Sequence, residues 1–272
     1  MVFKKVLIGI IVLLSICCEE NSTLEFDYEQ VVIQAYLFEG EEVNDIRLTS
    51  TIPIGDDTGE ITPINDAEVE IIKNSISYTL VPSAGDSGYY HYEGDDLEVF
   101  SNDEFILNVT YFDKTATATT TVPPLPQEVE LSNDTLEIPE VTRPELFEFD
   151  STRHQVKITW ENDSNAMFYV FIQNIEENPD SIISRIPPRG LPGRMIEMPM
   201  NQNFYLVLFE DISHYGWHEV TLYRINQEYV NLYISRNQNS RELNEPITNI
   251  INGLGVFSAF SSVSTYFNAI EE

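Results

Sequence analysis

Apolar and polar residues alternate in short runs along most of this chain, with turn residues between the runs, and its first half carries no helical period. The pattern predicts strands near Gln30–Phe38, Asp45–Ile54, Glu68–Lys73, Ser77–Pro82, Gly88–Glu93, Glu104–Phe112 and Thr115–Val122. Tyr28, Tyr36 and the β-branched runs suit a pleated, half-buried surface. Thr115-Ala-Thr-Ala-Thr-Thr-Thr-Val122 alternates strictly enough to turn one side to a core and the other to water, and Phe112-Asp113-Lys114 before it reads as a tight hairpin connection. Seven short strands of this kind predict a β-sandwich of immunoglobulin-like size. Pro123-Pro124-Leu125-Pro126 cannot donate ladder hydrogen bonds, so the first module is expected to end there.

A second β-rich unit is expected to open at His154-Gln-Val-Lys-Ile-Thr-Trp160, with Val156, Ile158 and Trp160 turned inward, followed by strands at Met167–Gln173, Phe204–Phe209 and Trp217–Ile225. A buried Trp followed by an aromatic strand suits a fibronectin-type-III-like sandwich. From Asn226 the period changes: Tyr229, Leu232, Tyr233 and Arg236 recur at three-to-four spacing, which predicts one short helix over Asn226–Asn239 whose aromatic stripe is a packing face. Strand character returns through Gly253-Leu-Gly-Val-Phe257, where two glycines predict a bulge or a close backbone approach. The expected organisation is therefore mostly all-β: a segment 1–17, a tether 18–27, a sandwich 28–125, a Pro- and acid-rich linker or extended edge crossing over 126–152, and a C-terminal β-rich domain 153–272.

The N-terminal segment departs from this pattern. Lys4 and Lys5 precede a charge-free apolar run from Val6 to Ile16, and Cys17-Cys18-Glu19-Glu20 follows. A spanning helix needs about 20 apolar residues to cross about 30 Å of hydrocarbon, and these eleven suit the core of a cleavable signal. The order of basic, apolar, cysteine and acidic residues reads as a bacterial lipoprotein signal. Cys18, preceded by the small Cys17, is the favoured acylation site; Cys17 is the alternative, with Leu14 and Ser15 upstream of it. The chain has no other cysteine, so its body holds neither a disulfide framework nor a thiolate metal site.

Charge then narrows the partners. The chain of 272 residues carries 45 acidic and 14 basic residues, a formal net charge of −31. Such a surface repels phosphate backbones and anionic headgroups, so no nucleic acid and no electrostatic membrane contact is expected; attachment would be covalent. Residues 19–126 hold 23 acids against Arg47, Lys73 and Lys114, whereas 151–272 holds 14 acids against eight bases. The acids are interleaved with Val, Ile, Tyr and Phe, as on the solvated face of a folded domain.

No Gly-x-Ser-x-Gly elbow, no phosphate loop and no body cysteine marks the chain as an enzyme. His214 and His218 stand four apart but lack the His-Glu-x-x-His order of a zinc protease. Asp56-Asp57 and Asp95-Asp96 read as solvated turns; Ca²⁺ in them is the weaker reading, and no cofactor is expected. Arg185, Arg189 and Arg194 stand in and beside Ile-Pro-Pro-Arg-Gly-Leu-Pro-Gly-Arg, a loop able to present arginine forks to carboxylates on a partner, or to pair them internally with Glu176, Glu177 and Asp180.

Several ordered motifs together resemble the domain-of-unknown-function 4249 family of Bacteroidota outer-membrane lipoproteins: the signal ending in Cys-Glu-Glu, Gln30-Val-Val-Ile-Gln-Ala-Tyr-Leu, Asn65-Asp-Ala-Glu-Val-Glu-Ile, Ala116-Thr-Ala-Thr-Thr-Thr-Val-Pro-Pro-Leu-Pro126 and Ile250-Ile-Asn-Gly-Leu-Gly-Val-Phe257. The resemblance covers nearly the whole mature chain. It implies an N-terminal carboxypeptidase-regulatory-like or immunoglobulin-like sandwich, a second β domain, and association with TonB-dependent outer-membrane receptors; it carries no catalytic residues. Glu19-Glu20 after the cysteine is also similar to the export signal that sends lipoproteins of this phylum to the cell surface, although Asn21-Ser22-Thr23 continues it less acidically. The expected role is a surface-exposed accessory lipoprotein that docks on such a receptor and assists ligand capture. The alternative is a structural subunit of an outer-membrane complex such as the barrel-assembly machinery.

Overall fold

The computed structural model describes residues 30–51, 61–139, 154–162, 164–182, 194–196, 198–236 and 248–272. Cys17, Cys18, Arg185, Arg189 and Asp56-Asp57 lie outside the described residues.

The alternation read in the sequence becomes strands that bury every second side chain. In β1 (Val31–Phe38), Val31, Ile33, Ala35 and Leu37 go inward while Tyr36 and Phe38 stay half-buried on the other face. It is followed by β2 (Asp45–Ser50), β3 (Glu68–Lys73), β4 (Ile76–Pro82), β5 (Tyr89–His91), β6 (Glu104–Tyr111) and β7 (Lys114–Thr121). Asn74 and Ser75 both take positive φ between β3 and β4, which gives that two-residue hairpin the local twist of its flanking strands. The β6–β7 hairpin closes through Phe112-Asp113, with Tyr111 paired to Lys114.

The second half supplies β8 (Glu130–Leu131), β9 (Thr135–Ile138), β10 (Gln155–Thr159), β11 (Met167–Asn174), β12 (Arg194–Ile196), β13 (Phe204–Leu208), β14 (Gly216–Ile225), helix α1 (Gln227–Arg236) and β15 (Leu254–Glu271). Among the described residues the protein is thus mostly β, with one short α-helix, as the periodicity predicts. Two expectations are adjusted. The stretch read as a linker or edge crossing contributes β8 and β9, which pair with β10 and β15. The strand expected at 253–257 runs for 18 residues.

One sheet follows the order β12-β11-β14-β15-β1-β2-β5-β4-β3-β6-β7, with β9 added at β15, and a three-stranded sheet follows β13-β10-β8. The long β15 organises both. Its first part, through Phe260, pairs in parallel with β1, and its last part, from Asn268, pairs in parallel with β9. β14 pairs antiparallel with it from Phe260 to Ala269. Since Phe260 has Phe38 on one side and Ile225 on the other, β1 and β9 must follow one another along the same edge of β15.

Two cores result. The first joins side chains of β1, β2 and β5 with those of β3, β4, β6 and β7, and takes Phe257 and Ala259 from β15. The second lies between the β13-β10-β8 sheet and β9, β11, β14 and the end of β15, from which it takes Phe267 and Ala269. Val156, Ile158 and Trp160 are all buried there, and the Trp160 ring sits 5.5 Å from that of Phe168. Gly255 answers the expected close approach: its φ is +109°, and a Cβ on it would lie 1.9 Å from the Ile33 carbonyl oxygen.

Candidate functional site

β11, β14 and β15 turn one face to the second core and leave the other toward solvent, and strict register makes that outer face readable row by row. Gln173, Glu219 and Tyr266 form one row. Phe171, Thr221 and Ser264 form the next, and Tyr169, Tyr223 and Ser262 the one after. Beyond the Gln173 row, Trp217 lies opposite Asn268, and its carbonyl accepts the Ile175 amide. The period of two therefore puts Trp217, Glu219, Thr221 and Tyr223 of β14 on one side, while His218, Val220 and Leu222 fill the core.

The row at Glu219 is held by hydrogen bonds across three strands. Gln173 Nε2 donates to Glu219 Oε2 at 2.8 Å and the Tyr266 hydroxyl donates to Oε1 at 3.2 Å. The adjacent carboxylate raises the pKa of the Tyr266 hydroxyl, so this donor stays protonated. Thr221 and Ser264 hydroxyls meet at 2.9 Å in the next row. The Trp217 amide donates to Glu176 Oε1 at 2.9 Å, and a Cβ on Gly216 would meet the Glu176 side chain, so this carboxylate sits on the parity of Gly216 and His218 rather than on that of the indole. Trp217 and Tyr266 are 45% and 46% exposed, high values for large aromatic side chains on paired strands.

Toward β1 the same face becomes a packed aromatic cluster. Tyr169 stacks on Tyr223 at 4.6 Å, and Phe260 receives Phe38 in a stack at 5.0 Å and Tyr229 of α1 edge-on at 4.9 Å. Burial pushes the Tyr169 hydroxyl far above the usual phenol range, with Tyr223, Tyr229 and Tyr36 adding to it. Burial likewise raises Tyr223, with Glu41 and Glu219 contributing. Tyr229 of the helix stripe thus packs against the sheet, as expected of it. Asn226 and Glu228 fasten α1 to β7 through the Thr120 hydroxyl.

Of the residues singled out in the sequence, Arg194 opens β12, where the register sets it opposite Gln173 at the end of the Glu219 row. Glu176, one of its suggested internal partners, is engaged with the Trp217 amide. His214 and His218 do not converge as ligands: the Ser213 hydroxyl meets His214 Nδ1, whereas His218 is buried and stacked on Phe267 at 5.1 Å. Asp96 accepts the Tyr92 hydroxyl at 2.6 Å, a contact internal to its turn. Among the described residues no three His, Cys, Asp or Glu side chains gather where a metal could sit.

Burial lowers the His218 pKa. An unfolded histidine titrates near 6.5, so as pH falls below that value the unfolded chain takes up a proton that the native ring resists, and stability declines. One such proton gives a slope of at most about 1.4 kcal/mol per pH unit. Urea midpoints measured between pH 7.5 and 5.5 should fall more for the wild type than for His218→Gln; parallel profiles would exclude this source of acid sensitivity.

Trp217, Tyr266, Gln173 and Glu219 were not reached by sequence reasoning, because only register assembles residues so distant in the chain into one row. The available signal was their shared parity on β11, β14 and β15.

A family model described as "Domain of unknown function (DUF4249)" matches residues 19–266. No curated protein matches the chain. Among solved structures, the crystal structure of domains A168-A170 from titin is similar at 11% sequence identity, over 89% of this chain and 67% of the titin chain, with a TM-score of 0.22.

Proposed function

We propose that this chain, which belongs to the family of domain of unknown function DUF4249, is a lipid-anchored outer-membrane accessory protein. Its β face docks on a barrel partner of the TonB-dependent receptor class and assists capture of a ligand at the cell exterior. The observation that carries this reading is the open face of β11, β14 and β15. Large aromatic rings there stand on a stiff sheet among hydrogen-bonded polar side chains, a composition typical of protein-binding patches.

The N-terminal order of Lys4-Lys5, apolar run and Cys17-Cys18 supports covalent attachment, with Cys18 as acceptor. The family match begins at residue 19, directly after that cysteine, in line with removal of what precedes it. From Cys18 to the first described strand at Val31 lie about a dozen residues, which reach about 40 Å when extended at 3.3–3.6 Å each. A tether of that length lets the folded body lie beside a barrel while its acyl chain stays in the leaflet.

Affinity purification of the tagged protein from detergent-solubilised membranes tests the role. Recovery of one receptor-type barrel is the expected result. Recovery of barrel-assembly components instead would make the chain a structural subunit, and isolation as a lone monomer would remove both readings. A double Cys17→Ser, Cys18→Ser variant should leave the membrane fraction; if it stays there in full, the anchor is not an acyl chain.

A further inference from the structure

We infer that the Trp217–Tyr266 end of the sheet face receives arginine or lysine side chains presented by a protein partner, the rings taking the cation on their π faces and Glu219 supplying the countercharge. This rests on the docking role proposed above and gives that role a chemistry.

Register makes Trp217 and Tyr266 diagonal neighbours on β14 and β15, positions typically about 7–8 Å apart and within reach of one bound group. The other two corners of that square are Glu219 and Asn268. A cation over an indole or phenol ring is attracted by the ring quadrupole, and a carboxylate beside it adds direct charge pairing.

The carboxylate is already oriented by the protein: Glu219 is held between Gln173 and Tyr266. A carboxylate has about four lone-pair directions, so Glu219 retains acceptor capacity for an incoming guanidinium or ammonium group. Because this group is fixed in advance, little ordering is required of it when the partner arrives.

Charge complementarity sets the sign of the partner. A chain with a net charge of −31 attracts basic surfaces and repels acidic ones at encounter. Four of the chain's own basic side chains are engaged elsewhere. Lys157 lies over Phe204 of the opposite sheet, Arg224 donates to Ser164, Arg47 donates to the Ser87 carbonyl and Lys73 pairs with Asp103.

The full-length acylated protein in non-ionic micelles, titrated calorimetrically with tetra-arginine amide, provides the test. Trp217→Ala and Tyr266→Ala leave the net charge unchanged, and each should weaken binding about tenfold. Glu219→Gln should weaken it clearly more than Glu104→Gln, which removes an exposed carboxylate of β6 in the first sandwich. Exposed positions such as 217 and 266 should tolerate Ala, so melting temperatures should stay within a degree or two of wild type.

Unchanged affinity in both aromatic variants, or equal losses in the two Glu→Gln variants, would mean diffuse attraction to an acidic surface and would overturn the site. So would binding of neutral maltohexaose at Trp217 in place of the peptide, or burial of the face in a dimer detected by sedimentation. If a receptor still co-purifies from membranes while the peptide ignores Trp217 and Tyr266, docking stands and cation recognition falls. If no barrel is recovered while the peptide binds through those rings, the cation site stands and the docking role falls.

Discussion

Gly255→Ala is expected to cost on the order of 3 kcal/mol or more, because two penalties coincide at one residue. The first is conformational: φ is +109°, a region that side chains with a Cβ rarely occupy. The second is a collision, since the added carbon would lie 1.9 Å from the Ile33 carbonyl oxygen and 2.8 Å from its carbonyl carbon. Ile33 is the residue paired with Gly255 in the parallel ladder of β1 and β15, so relief requires the two strands to part where they join. Gly40→Ala provides the comparison. Its φ is +77°, but nothing stands within 4 Å of an added Cβ, so it should lose only the backbone contribution of about 1–2 kcal/mol. Urea unfolding of both variants measures the difference. Equal midpoints for the two would show that the strand junction yields without cost.

That glycine was legible from the sequence as a close approach, whereas the strand around it was not, and the contrast has a physical cause. β1, β3 and β6 each bury one face in one core, so alternation of large apolar with polar residues marks them over their whole length. β15 serves two cores in succession. Its inward positions Phe257 and Ala259 fill the first, and Phe267 and Ala269 the second. Between and beside them, Ser258 and Ser261 are buried although their composition reads as surface. Ser261 donates to the Pro124 carbonyl at 2.8 Å, a partner 137 residues away that no local period announces. β8 and β9 were hidden for another reason: they are two and four residues long, inside an acidic, proline-flanked stretch.

The proposed lipidation signal shows the opposite case. Its parts are contiguous, so spacing alone carries it. The outer face of the second sandwich is built from Gln173, Glu219 and Tyr266, which lie about fifty residues apart in succession and meet only through pairing. Among the arginines of the proline-rich loop, Arg194 enters that row by register, a placement its sequence neighbourhood did not suggest.

Phe260→Ala should both lower stability by about 3–5 kcal/mol and change the way the protein melts. The ring is almost fully buried, and its neighbours come from four elements: Tyr36 and Phe38 of β1, Tyr169 of β11, Tyr223 of β14 and Tyr229 of α1. It also marks the point where β15 leaves the first core for the second, with β1 and β14 on its two edges. Among the described residues no buried side chain belongs to both large cores, so cooperativity between them rests on the β15 backbone, this cluster and the hydrogen bonds that tie Thr120 to α1 and Ser261 to Pro124. Removing the ring leaves the backbone ladder but empties the cluster's centre. Calorimetry of the wild type should then show one transition, and the variant two, the lower displaced by about 10 °C for a chain of this size. A single transition in the variant would place the coupling in the ladder and the hydrogen bonds at Thr120 and Pro124. Because Trp217 and Tyr266 lie at the far end of the same strands, their capture of a basic peptide should survive the substitution at temperatures below the first transition. Loss of binding there would mean that the aromatic cluster holds the whole face in register.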